Sequence, residues 1–129
     1  NTIRVVLVEP GKLARIAKVG TTLDAMQRTV GGDIEAYYPF EEQVCIVCNE
    51  EGKINGLPLN RAIRDEDAGD VADIIAGTFF ICDCSGESFG SLSQEQQKRY
   101  QEKYRLPERF FRIGENIEAV PYRPKERER

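Results

Sequence analysis

The stretch Thr78-Phe79-Phe80-Ile81-Cys82 decides the fold. It is short, uncharged and rich in β-branched and aromatic side chains, and Gly77 bounds it on one side, so it reads as a central strand. The core is expected to form around it. Just before it, VADIIA at residues 71–76 leads into Gly77. Working outward, IRVVLV at residues 3–8 has the β-branched composition of a second strand, and Glu9-Pro10-Gly11-Lys12 after it is turn chemistry. Residues 13–19 then alternate weakly and complete a hairpin.

Two helices are predicted from their punctuation. Thr21 or Thr22 supplies an N-cap, Leu23, Met26, Gln27 and Val30 recur at helical spacing, and Gly31-Gly32 ends the segment. Further on, Ser93 followed by Gln96 forms a capping box for a helix running to about Tyr104. Leu92, Tyr100 and Tyr104 give that helix a narrow apolar stripe. Between the helices, residues 33–40 read as a strand stopped by Pro39, and residues 43–48 as another. Residues 49–53 form a turn in which Gly52 is free to take a positive φ. Residues 56–61 read as a constrained extended or turn segment, and residues 65–70 as an exposed acidic loop.

The 129 residues suffice for one domain with a real core. The expected fold is therefore α+β, a small, mostly antiparallel sheet built from hairpins with two main helices packed on it. The domain spans residues 1–119, and residues 120–129 read as a charged, proline-containing tail. No apolar run is long enough to cross a bilayer as a helix. The sequence given opens directly into a strand-like run without secretory-signal features, so the chain reads as cytoplasmic, with no membrane partner.

The net charge of −4 is unevenly distributed. Residues 1–92 carry 15 acids and 8 bases, a net −7, whereas residues 93–129 carry 7 acids and 10 bases, a net +3. An acidic body repels phosphate backbones and argues against general nucleic-acid binding. The bases of residues 98–112 alternate with Tyr100, Tyr104, Phe110 and Phe111, a mixture that can bind nucleic acid. The spacing of Tyr100, Tyr104 and Phe111 near one helical face instead predicts that residues 93–112 anchor on the body.

Chemistry-bearing residues are few. There is no histidine to act as base, shuttle or metal ligand, and no phosphate-binding loop, dinucleotide fingerprint or serine elbow. Cys45 and Cys48 lie three apart in a strand, so their sulfurs point to opposite faces and are poorly placed to share a zinc ion. Cys82 and Cys84 share a face if their strand continues, and one of them could approach Cys45 or Cys48 across a sheet. The residues thus predict no metal, no cofactor and no enzyme.

The order of motifs resembles a family of small proteins of bacteria, phages and conjugative elements, domain of unknown function 3846. The resemblance lies in IRVVLVEPGK at 3–12, TLDAMQRTVGGDIEAYYPF at 22–40, CNEEGKINGLPLNRAIRDEDA at 48–68, DIIAGTFFICD at 73–83 and SLSQEQQKRY at 91–100. It implies a small fold and an association with mobile genetic elements. It transfers no activity, cofactor or catalytic residue.

The candidate binding residues are Asn49, Glu51, Lys53, Asn60, Arg61 and Arg64, together with Glu50, because they sit in turns flanking probable core strands. Arg61 could pair with a carboxylate of a ligand or partner protein. Its plainer role is an ion pair with Asp65 or Glu66, the asparagines satisfying turn backbone. The first functional expectation is a non-enzymatic protein-binding accessory module of a mobile genetic element, docking an unidentified protein through its acidic body or an exposed sheet edge. The alternative is a small-molecule- or metal-binding domain with a pocket between the sheet and the first helix. An acidic DNA mimic built on Asp65, Glu66, Asp67 and Asp70 ranks last. No oligomeric state is specified by the sequence.

Overall fold

A computed structural model describes residues 1–125. In chain order the elements are β1 (Thr2–Val8), β2 (Arg15–Gly20), α1 (Leu23–Val30), β3 (Ile34–Tyr37), β4 (Val44–Asn49), β5 (Leu59–Arg64), β6 (Val71–Ala76), β7 (Phe79–Asp83), α2 (Gln94–Lys103), β8 (Glu108–Ile113) and β9 (Asn116–Pro121). Five strands form one antiparallel sheet in the order β2-β1-β7-β4-β3, while β5-β6 and β8-β9 are separate hairpins. The fold is α+β, as expected. Phe79, Phe80, Ile81 and Cys82 occupy the central strand with no exposed surface.

Both faces of the sheet are covered, which is why its middle strands are apolar at every position rather than at alternate ones. On one face Met26 and Val30 of α1 pack over Val5, Cys45, Val47 and Phe80. On the other, Ile63 of β5, Ile75 of β6 and Tyr100 and Tyr104 of α2 and its cap pack over Val6, Val44, Ile46 and Phe79. The helix ends are those read from the sequence. Thr22 Oγ1 accepts from the Ala25 amide at 3.1 Å, Gly31 closes α1 at φ +85°, and Ser93 and Gln96 make both bonds of a capping box.

The structure refines or corrects several expectations. Residues 56–61 contain the start of a strand, since β5 begins at Leu59 and pairs with β6 in a hairpin of its own. The chain after Pro107, expected to anchor on the body along with α2, forms the hairpin β8-β9, turned by Gly114 at φ +64°. Phe111 lies on the outer side of that hairpin with 51% of its surface exposed, so it does not anchor on the body as Tyr100 and Tyr104 do. The hairpin also carries regular structure past residue 119. β9 ends at Pro121 and the Tyr122 amide donates to the Pro107 carbonyl at 2.9 Å, while residues 126–129 of the expected tail lie outside the described residues.

Polar contacts add to the apolar packing in holding β5-β6 to the sheet. Arg61 is 1% exposed. Its Nε donates to the Tyr104 carbonyl at 3.0 Å, Nη1 to Asn60 Oδ1 at 2.9 Å, and Nη2 to the Lys12 carbonyl at 2.7 Å. Asn60 Nδ2 in turn donates to the carbonyls of Val8 and Gly77 at 3.0 and 2.8 Å. Burial pulls the guanidinium down to about 10, with the charge of Glu108 opposing the shift, so it stays protonated at neutral pH. Neither Asp65 nor Glu66 is its partner.

A second polar contact docks α2. Glu42 accepts from Arg99 and from the Tyr100 hydroxyl, both at 2.5 Å, and from Gln96 Nε2 at 3.1 Å. The Arg99 bond first, then the Tyr100 bond, hold its carboxyl at about 2 against an ordinary 4.5.

Two outcomes follow from these contacts. Arg61→Met keeps bulk but removes the donors, and is expected to lower stability by about 2–3 kcal/mol in urea unfolding, against a change within about 0.5 kcal/mol for Arg64→Ala. Equal midpoints for Arg61→Met and the parent would contradict the role given to Arg61. A carboxyl depressed in the folded state stabilises fully above its unfolded value and loses that contribution as the pH falls through its folded value. Glu42→Gln is therefore expected to flatten the loss of stability between pH 4.5 and 2 while leaving the slope above pH 6 unchanged; an unaltered acid limb would rule this out.

Candidate functional site

β3 ends the five-stranded sheet, and its pairing defines which of its backbone groups are free. The Glu50 amide donates to the Asp33 carbonyl at 2.8 Å, and the register continues through Ile34↔Asn49, Glu35↔Cys48, Ala36↔Val47 and Tyr37↔Ile46. In an antiparallel ladder the hydrogen-bonded pairs alternate. Asp33, Glu35 and Tyr37 therefore turn their backbone groups toward β4, and Ile34 and Ala36 turn theirs outward. Among the described residues, no other strand pairs with that outer side.

The side chains alternate in the opposite sense, across the two faces. Glu35 and Tyr37 stand on the face covered by β5-β6, and there a cleft of about 290 Å³ opens between β3, the end of β4, the turn at residues 50–54 and β6. Four carboxylates line it, those of Glu35, Glu50, Glu51 and Asp73, with Lys53 as the one cation among the lining residues. Lys53 Nζ lies 2.8 Å from Asp73 Oδ1, which also accepts from the Ile74 amide. Ile34 and Ala36 stand on the α1 face. Here Leu23, Met26, Ile34, Tyr38 and Phe89 line a second groove, together with Thr21, Ser88 and one carboxylate, Glu87.

Local chemistry builds the cleft. Asn49 Oδ1 accepts from the Glu51 amide at 2.8 Å and Nδ2 donates to the Val30 carbonyl at 3.3 Å, tying the turn to the end of α1. Gly52 is required for a reason different from the expected positive φ. A Cβ there would stand 2.5 Å from the Ala76 carbonyl oxygen, so only glycine lets the turn lie against β6.

Of the residues singled out from the sequence, Asn49, Glu51 and Lys53 line this cleft, as does Glu50. Asn60 and Arg61 are brought elsewhere, into the interior, where their donors are spent on backbone carbonyls. Arg64 is exposed at the end of β5 and donates to the carbonyls of Gly69 and Ala119. Glu35, Tyr37, Cys48 and Asp73 complete the cleft and were not singled out. Alternation along residues 34–37 was the available signal for Glu35 and Tyr37. Asp73 is close only because β6 folds back over the sheet.

Two of the lining groups, Cys48 and Tyr37, are shifted away from ionisation. Burial pushes the Cys48 thiol up to about 11, with Glu35 and Asp73 adding to the shift, and burial followed by the charge of Asp73 raises Tyr37. Both stay protonated at neutral pH. On the other face, Cys45 Sγ lies 3.9 Å from Cys82 Sγ, a contact that with burial raises the Cys45 thiol, and half-buried Cys84 is pushed to about 11. Cys45 and Cys48 do point to opposite faces. Among the described residues no group of three or more cysteine or carboxylate side chains is gathered to hold a metal ion.

A family model described as Domain of unknown function (DUF3846) matches residues 3–105. No curated protein and no solved structure matches the chain. The matched span takes in β3 and both grooves beside it, and stops before β8-β9.

Proposed function

The chain belongs to the DUF3846 family, and from that premise and the open edge of β3 we propose that it is a non-enzymatic protein-binding module that docks its partner along β3. The observation carrying this reading is the contrast between sheet edges. A bare edge is a template for another chain, and proteins blunt it with charge, proline or a covering element. β2, at the opposite end of the sheet, carries Arg15 and Lys18, and α2 with its following loop covers its start, where the Ala14 amide donates to the Arg105 carbonyl. The outer side of β5 is capped by Glu108, whose Oε1 accepts from the Ala62 amide at 2.8 Å. β3 carries one charge, Glu35, and Pro39 follows it, but it has no basic residue and, among the described residues, no strand covers it.

Protonated thiols, a protonated phenol and a chain without histidine support a recognition surface over a catalytic one. At about 290 Å³ the cleft falls at the lower bound of small-molecule sites, roughly 300 Å³, and suits one side chain of a partner better than a whole ligand. That the module serves a mobile genetic element is part of the proposal and rests on the family resemblance alone.

Site-specific photocrosslinking in the cells from which the gene comes tests the docking edge. A photoreactive residue at position 35 is expected to give an adduct with a polypeptide, and one at position 18 on β2 is not. Equal yields at the two positions, adducts with nucleic acid, or none at position 35 would overturn the reading.

A further inference from the structure

We infer that the segment docking on β3 is itself an extended strand with alternating basic and apolar side chains, the basic ones entering the acid-lined cleft and the apolar ones the groove beside α1. This rests on the reading of β3 as the docking edge and specifies what binds there. Strand addition draws affinity from backbone hydrogen bonds and specificity from pockets that accept alternate side chains. β3 offers both. The outward N–H and C=O groups of Ile34 and Ala36 are spaced as one side of an antiparallel or parallel ladder. A strand laid beside them keeps the pleat of the sheet, so its successive side chains fall on opposite faces.

The two faces differ in chemistry. On the β5-β6 face four carboxylates face one lysine, and that lysine is already engaged by Asp73, so the cleft is left anionic toward an incoming group. Opposite charge steers association and fixes register, and a like charge there is rejected. On the α1 face Leu23 and Tyr38 are 59% and 64% exposed, beside Ile34, Met26 and Phe89, and against the four carboxylates of the other face this groove has only one, Glu87. Apolar side chains belong there. The register is then set, since a shift by one residue would exchange the faces and place each side chain against the wrong lining.

The test uses the full chain and three synthetic eight-residue peptides: one alternating Arg and Val, one alternating Glu and Val, and the Arg-Val peptide with alternate backbone amides N-methylated. Isothermal titration is expected to show binding of the Arg-Val peptide alone, and amide exchange to show new protection at Ile34 and Ala36. E35K/E51K is expected to weaken binding about tenfold. Ala36→Pro removes an outward donor while leaving the bonds to β4 in place, and is expected to weaken binding with little change in melting temperature. Both variants are checked for an unchanged amide spectrum, and Lys18→Pro on β2 is the control for a proline at an edge, expected to bind as the parent does. Equal binding of the Glu-Val peptide overturns the assignment of charge. Binding without protection at Ile34 and Ala36, or undiminished by N-methylation, overturns strand addition. No binding of the Arg-Val peptide while position 35 still crosslinks to a polypeptide overturns this inference and leaves β3 as the docking edge.

Discussion

A single buried cation holds the parts of this domain in register. The guanidinium of Arg61 lies under β5 and reaches the carbonyls of Lys12, after β1, and Tyr104, at the cap of α2, while its neighbour Asn60 reaches Val8 and Gly77. Burying a charge costs several kcal/mol unless the group is hydrogen-bonded all round. The cost is offset only when the β1–β2 turn, the end of α2 and the start of β5 all take their native places. The geometry therefore penalises partly docked arrangements of β5-β6 more severely than apolar contact between Ile63, Ile75 and the sheet would.

The position of that hairpin determines the cleft. β6 passes close enough to the turn at residues 50–54 that Gly52 lies against the Ala76 carbonyl, and Asp73 meets Lys53 across the gap. With β5-β6 fixed on one face and α1 on the other, β3 is left between two grooves, one with four carboxylates in its lining and one with a single carboxylate. Its four residues are too few to be stable as an isolated ribbon, and they are ordered by pairing with β4, whose residues are buried throughout. Order supplied from one side leaves the other side preformed, which would reduce the entropy lost by a strand that paired there.

Much of this was legible in the sequence. The central strand, the first hairpin, both helix caps and the opposite facing of Cys45 and Cys48 follow from local propensity, turn residues and strand period. β5 was obscured because Asn60 and Arg61 interrupt its apolar pattern, and a polar pair in a strand normally signals solvent. Their burial depends on carbonyls distant in the chain, and no local pattern records those. β8 was misread because Phe110 and Phe111 extended the aromatic spacing of Tyr100 and Tyr104 past Pro107, and the turn at Gly114 was passed over. Asn49, Glu50, Glu51 and Lys53 fall together in the cleft because they are consecutive or nearly so in the chain. Asp73 joins them only through tertiary placement, Glu35 had strand alternation as its signal, and an open edge is a property of sheet order, which adjacency in sequence does not encode.

Amide hydrogen exchange across β3 in the free protein tests most directly whether that edge is open. The amides of Glu35 and Tyr37, turned toward β4, are expected to exchange slowly, and those of Ile34 and Ala36 to exchange close to the rate of an unprotected chain. Protection of all four amides to the same degree would contradict an open β3 edge, because that edge would then already be covered in the free protein.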